Sequence, residues 1–349
     1  MGGTGVLQDR LFLEHLTAEG HPEQPGRLAA IYDRLERLDL KARLIDIVPR
    51  EAVEEEILLV HAPEYYHRLA ASEGQAQVRL SPDTLASGHS FRAALTAVGG
   101  VFEAVRRVMS ADLTNAFALI RPPGHHAERS RAMGYCLFNN TALGAAYARH
   151  ALGVERVLIV DWDVHHGNGT QHAFESDSQV LFFSVHQHPH FPGTGLFMES
   201  GRGQGEGFTV NLPLPKGYGD AEYAAIFENL LRPVALEFCP GLIIVSAGFD
   251  THRSDPLGGM RMTPTGFAAL TRSVMMIADR CCGGRLVLCL EGGYHVEATA
   301  ESVLAVLKEL TGESVSDPVD LGRRARQRKF DYAANRYRHV QRRFWKSLA

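Results

Sequence analysis

The sequence predicts an α/β protein built on a central, mostly parallel, doubly wound sheet, and two observations carry that reading. The first is a series of short, nearly continuous apolar runs: Phe117 to Ile120, Val157 to Val160, Leu181 to Val185, Leu242 to Val245 and Leu286 to Leu290. Runs rich in β-branched residues and lacking polar alternation suit strands covered on both faces, as parallel sheets require. The second is the helical periodicity of the intervening stretches, Thr141 to His150, Ala221 to Glu237, Pro264 to Arg280 and Val296 to Leu310. Strand and helix alternating in this way imply right-handed crossovers and helices on both faces. No repeat, low-complexity tract or linker interrupts the 349 residues, so residues 1–349 read as one large domain.

Composition narrows the function classes. With 45% hydrophobic and 22% charged residues, the chain has the make-up of a globular protein with a sizeable core. A formal net charge of -4 gives no general electrostatic reason to bind nucleic acid. The Arg-rich stretch from Gly322 to Lys346 holds Tyr337, Phe344 and Trp345, and reads as a C-terminal helix docked through its aromatics, not as a nucleic-acid patch. Cys136, Cys239, Cys281, Cys282 and Cys289 form no CxxC pair, which fits reduced thiols in a cytoplasmic protein. The first residues, MGGTGVLQDRLFLEH, lack a basic region followed by a long apolar stretch, and no later run reaches membrane-spanning length. The expectation is a cytoplasmic protein without membrane contact, with self-association left open.

Each apolar run is followed by chemistry: RPPGHH, DWDVHHGNG, HQHPHFPGTG, SAGFDTHRSDP and EGGYH. Ligands of open α/β sheets bind outside the carboxyl ends of the strands, so these segments should converge. Asp163 and His165, two apart on an extended segment, point the same way and can share a metal. Asp250 adds a third ligand and leaves a coordination position open, the pattern of a catalytic zinc site. For the isolated DxH, a helix cap or simple ion pair is the competing reading, which the matching Asp250 weakens. The oxygen-rich set also suits Fe2+ or Co2+, so the metal stays open.

His125 and His126 follow a turn stiffened by two prolines and a glycine, and adjacent imidazoles can act as general base and acid near neutral pH. Asp161 and Asn168 are placed to orient one ring each. Tyr294 either donates its hydroxyl to a developing oxyanion or packs at the glycine turn of Gly292 and Gly293. His166, His186, His188, His190 and His252 read as structural. No nucleophile motif such as GxSxG is present, which disfavours covalent catalysis.

The motifs RPPGHHAE, GYCLFNN, DWDVHHGNGTQ, FPGTG, SAGFDTHRSDPLGG and LEGGY stand in the order seen in histone deacetylases and their bacterial relatives, which the chain resembles from HPEQPGRL almost to its end. DWDVHHGNGTQ and DPLGG look most like the class II branch. The resemblance implies the arginase-deacetylase fold, a central sheet of about eight strands, and one zinc held by Asp163, His165 and Asp250. It places His125 and His126 on the tandem catalytic histidines, Asp161 and Asn168 on their supports, and Tyr294 on the tyrosine that polarises the scissile carbonyl. His126 is then the general base and acid, and His125 gives electrostatic support.

The same resemblance implies structural K+ near Asp161, Asp163, His165, Ser184 and Val185, and a second ion near Phe174, Asp177 and Val180. Tyr135, Phe191 and Gly134 would line an acyl-lysine channel, with Leu257 and Asp83 at its rim. The activity implied is removal of acetyl or other acyl groups from lysine side chains of a protein or peptide by metal-activated water. The alternative is deacetylation of acetylpolyamines or other small N-acyl amines. Relatives devoted to polyamines often carry an acidic gatekeeper where this chain has Leu257, which lowers that alternative. Binuclear relatives carry carboxylates where this chain has Gly167 and His252, which implies a single catalytic metal.

Overall fold

The computed structural model describes residues 2–37 and 39–348; Met1, Leu38 and Ala349, which the single-domain expectation includes, lie outside the described residues. Its strands are β1 (Gly3–Leu7), β2 (Leu44–Ile47), β3 (Val78–Arg79), β4 (Leu85–Ala86), β5 (Leu113–Ala118), β6 (Val157–Asp161), β7 (Val180–Gln187), β8 (Thr209–Leu214), β9 (Leu242–Ala247) and β10 (Leu286–Leu290). Eight of them form one parallel sheet in the order β2-β1-β5-β10-β9-β6-β7-β8, and β3 and β4 pair as a small antiparallel ribbon. Every residue of β6, β9 and β10 is buried, as strands covered on both faces must be.

Register decides where the chemistry goes. Asp161 pairs with Ser184 of β7 and Ser246 of β9, and Leu290 pairs with Ala247, so the central strands end level. The loops after β5, β10, β9 and β6, four consecutive neighbours in the sheet, therefore leave the same edge side by side.

The five expected strands are present, with shifted ends at β5. That strand begins at Leu113 and ends at Ala118, while Leu119 and Ile120 run on, buried, into the RPPGHH loop. Strands β1, β2 and β8 were not expected. β1 is diluted by glycine, β2 is a half-exposed edge, and β8 carries Pro213 on the other edge, where no further strand needs its missing N–H.

The expected helix Ala221–Glu237 is interrupted by a π-helical turn at Phe227–Leu231, between the helices Asp220–Ile226 and Arg232–Phe238. The C-terminal helix Gln327–Gln341 is docked on the body: the Tyr337 hydroxyl donates to the Leu230 carbonyl at 3.0 Å, and Trp345 just beyond it donates to the Gly207 carbonyl at 3.1 Å. Its arginines 328, 336 and 338 face outward. Among the described residues, no helix is long and apolar enough to cross a membrane.

A buried charge cluster fastens the N-terminal segment under the site. Glu23, fully buried, accepts from Arg121 Nη2 at 2.7 Å and Arg27 Nη1 at 3.0 Å. Burial opposes its ionisation, but the charge and hydrogen bonds of Arg121, with His15 and Arg27, outweigh this and hold its carboxyl at about 2. A folded-state value below the ordinary one adds stability that is complete above pH 4.5 and drains away as pH falls toward 2. A shift of that size is worth on the order of 3 kcal/mol. The urea midpoint of the protein is expected to fall more steeply between pH 5 and 3 than that of Glu23→Gln, which starts lower because two arginines are left unpaired; parallel profiles would dismiss the effect.

Candidate active site

The residues after β6 build the site by folding each acidic side chain forward. Asp161 Oδ1 accepts from the Asp163 amide at 3.1 Å, and Asp163 Oδ1 accepts from the His165 amide at 2.9 Å. These turns, in which a carboxylate caps the amide two residues on, bend the chain so that Asp163 and His165 face inward. The loops from the neighbouring strands are tied to the same groups. The Val164 amide donates to Asp250 Oδ1 at 2.8 Å, and the Gly292 amide donates to Asp163 Oδ2 at 2.9 Å. A Cβ at residue 292 would lie 2.2 Å from Asp250 Oδ2, so only glycine lets the β10 loop come this close.

Asp163, His165 and Asp250 bring three ligand atoms within 4.8 Å of one another, and all three residues are buried. His165 Nδ1 lies 3.1 Å from Asp163 Oδ1 and 3.2 Å from Asp250 Oδ2. Asp250 Oδ2 nonetheless makes no hydrogen bond of acceptable geometry, and a buried, unpaired carboxylate oxygen is costly. Burial, with the charge of Asp163, pushes the Asp250 carboxyl up to about 7. An imidazole nitrogen and two carboxylates converging on one point, with one oxygen unsatisfied, fit a divalent cation. A Cβ at Gly167 would stand 2.3 Å from Asp161 Oδ2 and 3.2 Å from His125 Nδ1, so glycine there lets the chain pass close to this carboxylate–imidazole pair.

The two histidines after β5 differ in their partners. His125 donates from Nδ1 to Asp161 Oδ2 at 2.9 Å. Burial disfavours its charged form, but Asp161 and Asp163 prevail and raise it to about 10. His126 Nδ1 lies 2.7 Å from Asn168 Oδ1, a neutral partner. Burial, with the charges of His125 and His165, holds His126 well below the ordinary histidine range.

Glu128 settles which His126 nitrogen carries the proton. Its Oε1 accepts from Asn168 Nδ2 at 2.6 Å, and a carboxylate can only accept. The amide oxygen of Asn168 must therefore face His126, which donates from Nδ1 and leaves Nε2 as a free base. Glutamine at 128 offers a donor as well and removes this constraint. Glu128→Gln is expected to lower kcat about tenfold with little change in KM, by analogy with the loss of groups that orient a metal-site imidazole. Unchanged kcat would show that Asn168 is fixed by other means.

Above these groups opens a cavity of about 270 Å3, floored by His126, His165 and Tyr294. Tyr135, Phe191 and Gly134 line its sides, and Asp83 and Leu257 also border it. Phe191 meets the His126 ring edge-on at 5.1 Å, and Tyr135 meets Tyr294 edge-on at 6.0 Å. Gly134 and Tyr135 both adopt left-handed backbone, φ 56° and 68°; a Cβ at 134 would strike the His126 ring at 2.3 Å. Asp83 Oδ2 accepts from the Gly134 amide at 3.2 Å and so braces this wall.

Four side chains went unnoticed in the sequence or were assigned too little. His190, read as structural, stacks on His165 at 4.9 Å and lines the cavity. Asp255 Oδ2 accepts from the Tyr294 amide at 2.6 Å, while its Oδ1 accepts from the Leu257 amide at 2.9 Å, tying floor to rim. Glu291 Oε2 accepts from the amides of Gly124 and His125 at 2.7 and 3.2 Å, and Glu128 acts as above. His166 and His186 do behave as structural residues: His166 bridges Thr194 and Gln171, and His186 bridges Ser184 and the Gly195 carbonyl.

At the strand ends of a parallel eight-stranded sheet, an Asp-His-Asp cluster that could hold a metal ion thus lies beside a histidine pair and a tyrosine. The model of the histone deacetylase domain matches residues 21–310, and the chain belongs to the histone deacetylase family. It is 44% identical to the human protein named polyamine deacetylase HDAC10 over 309 residues, which are 83% of this chain and 45% of that protein. A probable deacetylase of Archaeoglobus fulgidus is 37% identical over 98% of this chain and 99% of its own length. The crystal structure of the HDA15 HD domain superposes with a TM-score of 0.90 at 38% identity, covering 99% of this chain and 96% of that one. The chain thus spans about half the length of the human relative and nearly all of the archaeal one.

Proposed function

We propose that residues 1–349 act as one catalytic unit, a zinc-dependent amidohydrolase that removes acetyl or other short acyl groups from N-acyl-lysine side chains. The observation that carries this reading is a mostly apolar cavity of about 270 Å3 on which His126, His165 and Tyr294 converge. Asp163, His165 and Asp250 would hold the divalent ion, which when bound supplies a Lewis acid for the acyl carbonyl and makes water more acidic. His126 Nε2 takes the proton of the attacking water and returns it to the departing amine. His125, fixed by Asp161, keeps a positive charge beside the developing anion, and the Tyr294 hydroxyl donates to the oxygen that gains charge.

Zinc is favoured over Fe2+ or Co2+ by family resemblance alone. The resemblance also assigns structural K+ to the groups around Asp161, Asp163, His165, Ser184 and Val185, which sit at the level ends of β6 and β7. It assigns a second K+ to the turn of Phe174, Asp177 and Val180, closed by the Asp177 amide on the Phe174 carbonyl at 2.9 Å.

A second reading, hydrolysis of acetylated polyamines, is favoured by the name of the human relative. Leu257 speaks against it, because an aliphatic side chain at the rim offers nothing to a distal ammonium. Purified protein with defined metal is incubated with an acetyl-lysine peptide and with acetylspermidine, and acetate and free amine are measured. Higher kcat/KM for the peptide is expected. Preference for acetylspermidine would install the second reading, and peptide binding without acetate release would leave a binding protein.

A further inference from the structure

Beside the rim lies a second cleft, of about 630 Å3, lined by Lys216, Arg253 and Arg261 together with Gly258, Gly259 and Met260. All three cations are exposed, and among the described residues none has a carboxylate within ion-pair distance. The acidic side chains that follow in the chain are engaged elsewhere. Asp220 accepts from the amide and hydroxyl of Thr263 at 2.8 and 2.6 Å, and Glu222 accepts from the Gly219 amide at 3.0 Å.

The loops that carry these cations are stitched together. The Gly217 amide donates to the Gly259 carbonyl at 2.9 Å, the Arg261 amide to the Tyr218 carbonyl at 2.7 Å, and the Arg253 amide to the Met262 carbonyl at 2.9 Å. The C-terminal helix adds a fourth cation: Lys329 donates to the Gly217 carbonyl and lies over the Tyr218 ring at 4.9 Å. Leu257, at the edge of the catalytic cavity, and Gly258, in the wall of the basic cleft, are consecutive, and Asp255 Oδ1 accepts from both amides at 2.9 and 3.2 Å. One braced loop therefore forms the border of both openings.

Resting on the acyl-lysine reading above, we infer that this cleft is a substrate subsite for acidic side chains flanking the acyl-lysine, so that the enzyme selects acylated lysines in an acidic peptide context. Unpaired cations at the mouth of a site attract anionic substrate and repel cations, although the chain as a whole is negative at -4. A polyamine, cationic beyond its acetyl group, is the substrate this mouth disfavours.

The test uses the full chain with bound metal, three acetyl-lysine peptides flanked by Asp, Ala or Lys, and acetylspermidine, at low and at high salt. At low salt the Asp-flanked peptide is expected to exceed the Lys-flanked one about tenfold in kcat/KM, through KM, as befits a few exposed charge pairs. High salt should shrink the ratio. In the triple variant Lys216→Ala, Arg253→Ala, Arg261→Ala the ratio should approach one, turnover of the Ala-flanked peptide should hold, and acetylspermidine should improve. An Asp-to-Lys ratio unaffected by the three substitutions overturns the subsite while leaving the deacylase standing. Failure of the unaltered protein to release acetate from the Ala-flanked peptide defeats the deacylase reading itself, and this inference with it.

Discussion

Asp250→Asn is expected to lower amide hydrolysis at least about a thousandfold and to leave the protein folded but poor in metal. The Oδ1 side of Asp250 would survive the change, because an amide oxygen can still accept from Val164. The Oδ2 side would not. There the substitution places an NH2 where His165 Nδ1 stands 3.2 Å away and where the charge of Asp163 also converges. A donor that faces a metal position contributes no lone pair, and the negative charge that would bind the ion is halved. Several kcal/mol of carbonyl polarisation goes with the ion, and about 4 kcal/mol is a factor of a thousand. Metal content after dialysis and acetate release from an acetyl-lysine peptide are measured together. The native protein stripped with a chelator should match the variant, and zinc should restore the native protein alone. A variant that keeps stoichiometric metal and native turnover removes Asp250 from the site. Restoring the stripped protein with Zn2+, Fe2+ or Co2+ in turn ranks the ions that an Asp-His-Asp set accepts.

That these site residues could be picked out at all follows from where they stand. Asp163, His165, Asp250, His125, His126 and Tyr294 each follow an apolar run that is buried on both faces, so the run marks the strand and the strand end marks the site. The four strands concerned are neighbours in the sheet, which is why loops more than a hundred residues apart in sequence meet. Other features had no such local mark. β1 and β8 carry no such apolar run, because glycine and proline break their patterns, and their pairing at or near the sheet edges shows only in the fold. Glu23, Glu128, Asp255 and Glu291 look like ordinary surface acids in sequence. Their roles come from partners 98, 40, 39 and 167 residues away: Arg121, Asn168, Tyr294 and Gly124. The unpaired state of Lys216, Arg253 and Arg261 is likewise a property of tertiary placement, since acidic residues lie close by in sequence.

Tyr294→Phe is expected to cost a factor of about 10² to 10³ in kcat with KM little altered, the usual effect of deleting one donor to a developing oxyanion. The ring is held for that task from three sides. Its amide is fixed by Asp255, the Arg27 guanidinium lies 4.9 Å from its centre, and Tyr135 packs edge-on against it at 6.0 Å. Phenylalanine keeps all three contacts, so a lower rate reports the missing hydroxyl and not a displaced loop. The hydroxyl must be protonated to donate, and its environment keeps it so. Burial pushes its ionisation well above the ordinary tyrosine value, reinforced by Asp250 and Asp163 and only partly opposed by Arg27. Because the raised value preserves the neutral donor to high pH, the native kcat profile should show no alkaline fall from Tyr294 below about pH 10, the ordinary tyrosine value. The two profiles, native and Tyr294→Phe, should then run parallel and be separated by a constant factor from pH 7 to 9.5. Curves that converge at high pH would mean that Tyr294 ionises within that range, and equal rates throughout would mean that the oxyanion is stabilised without it.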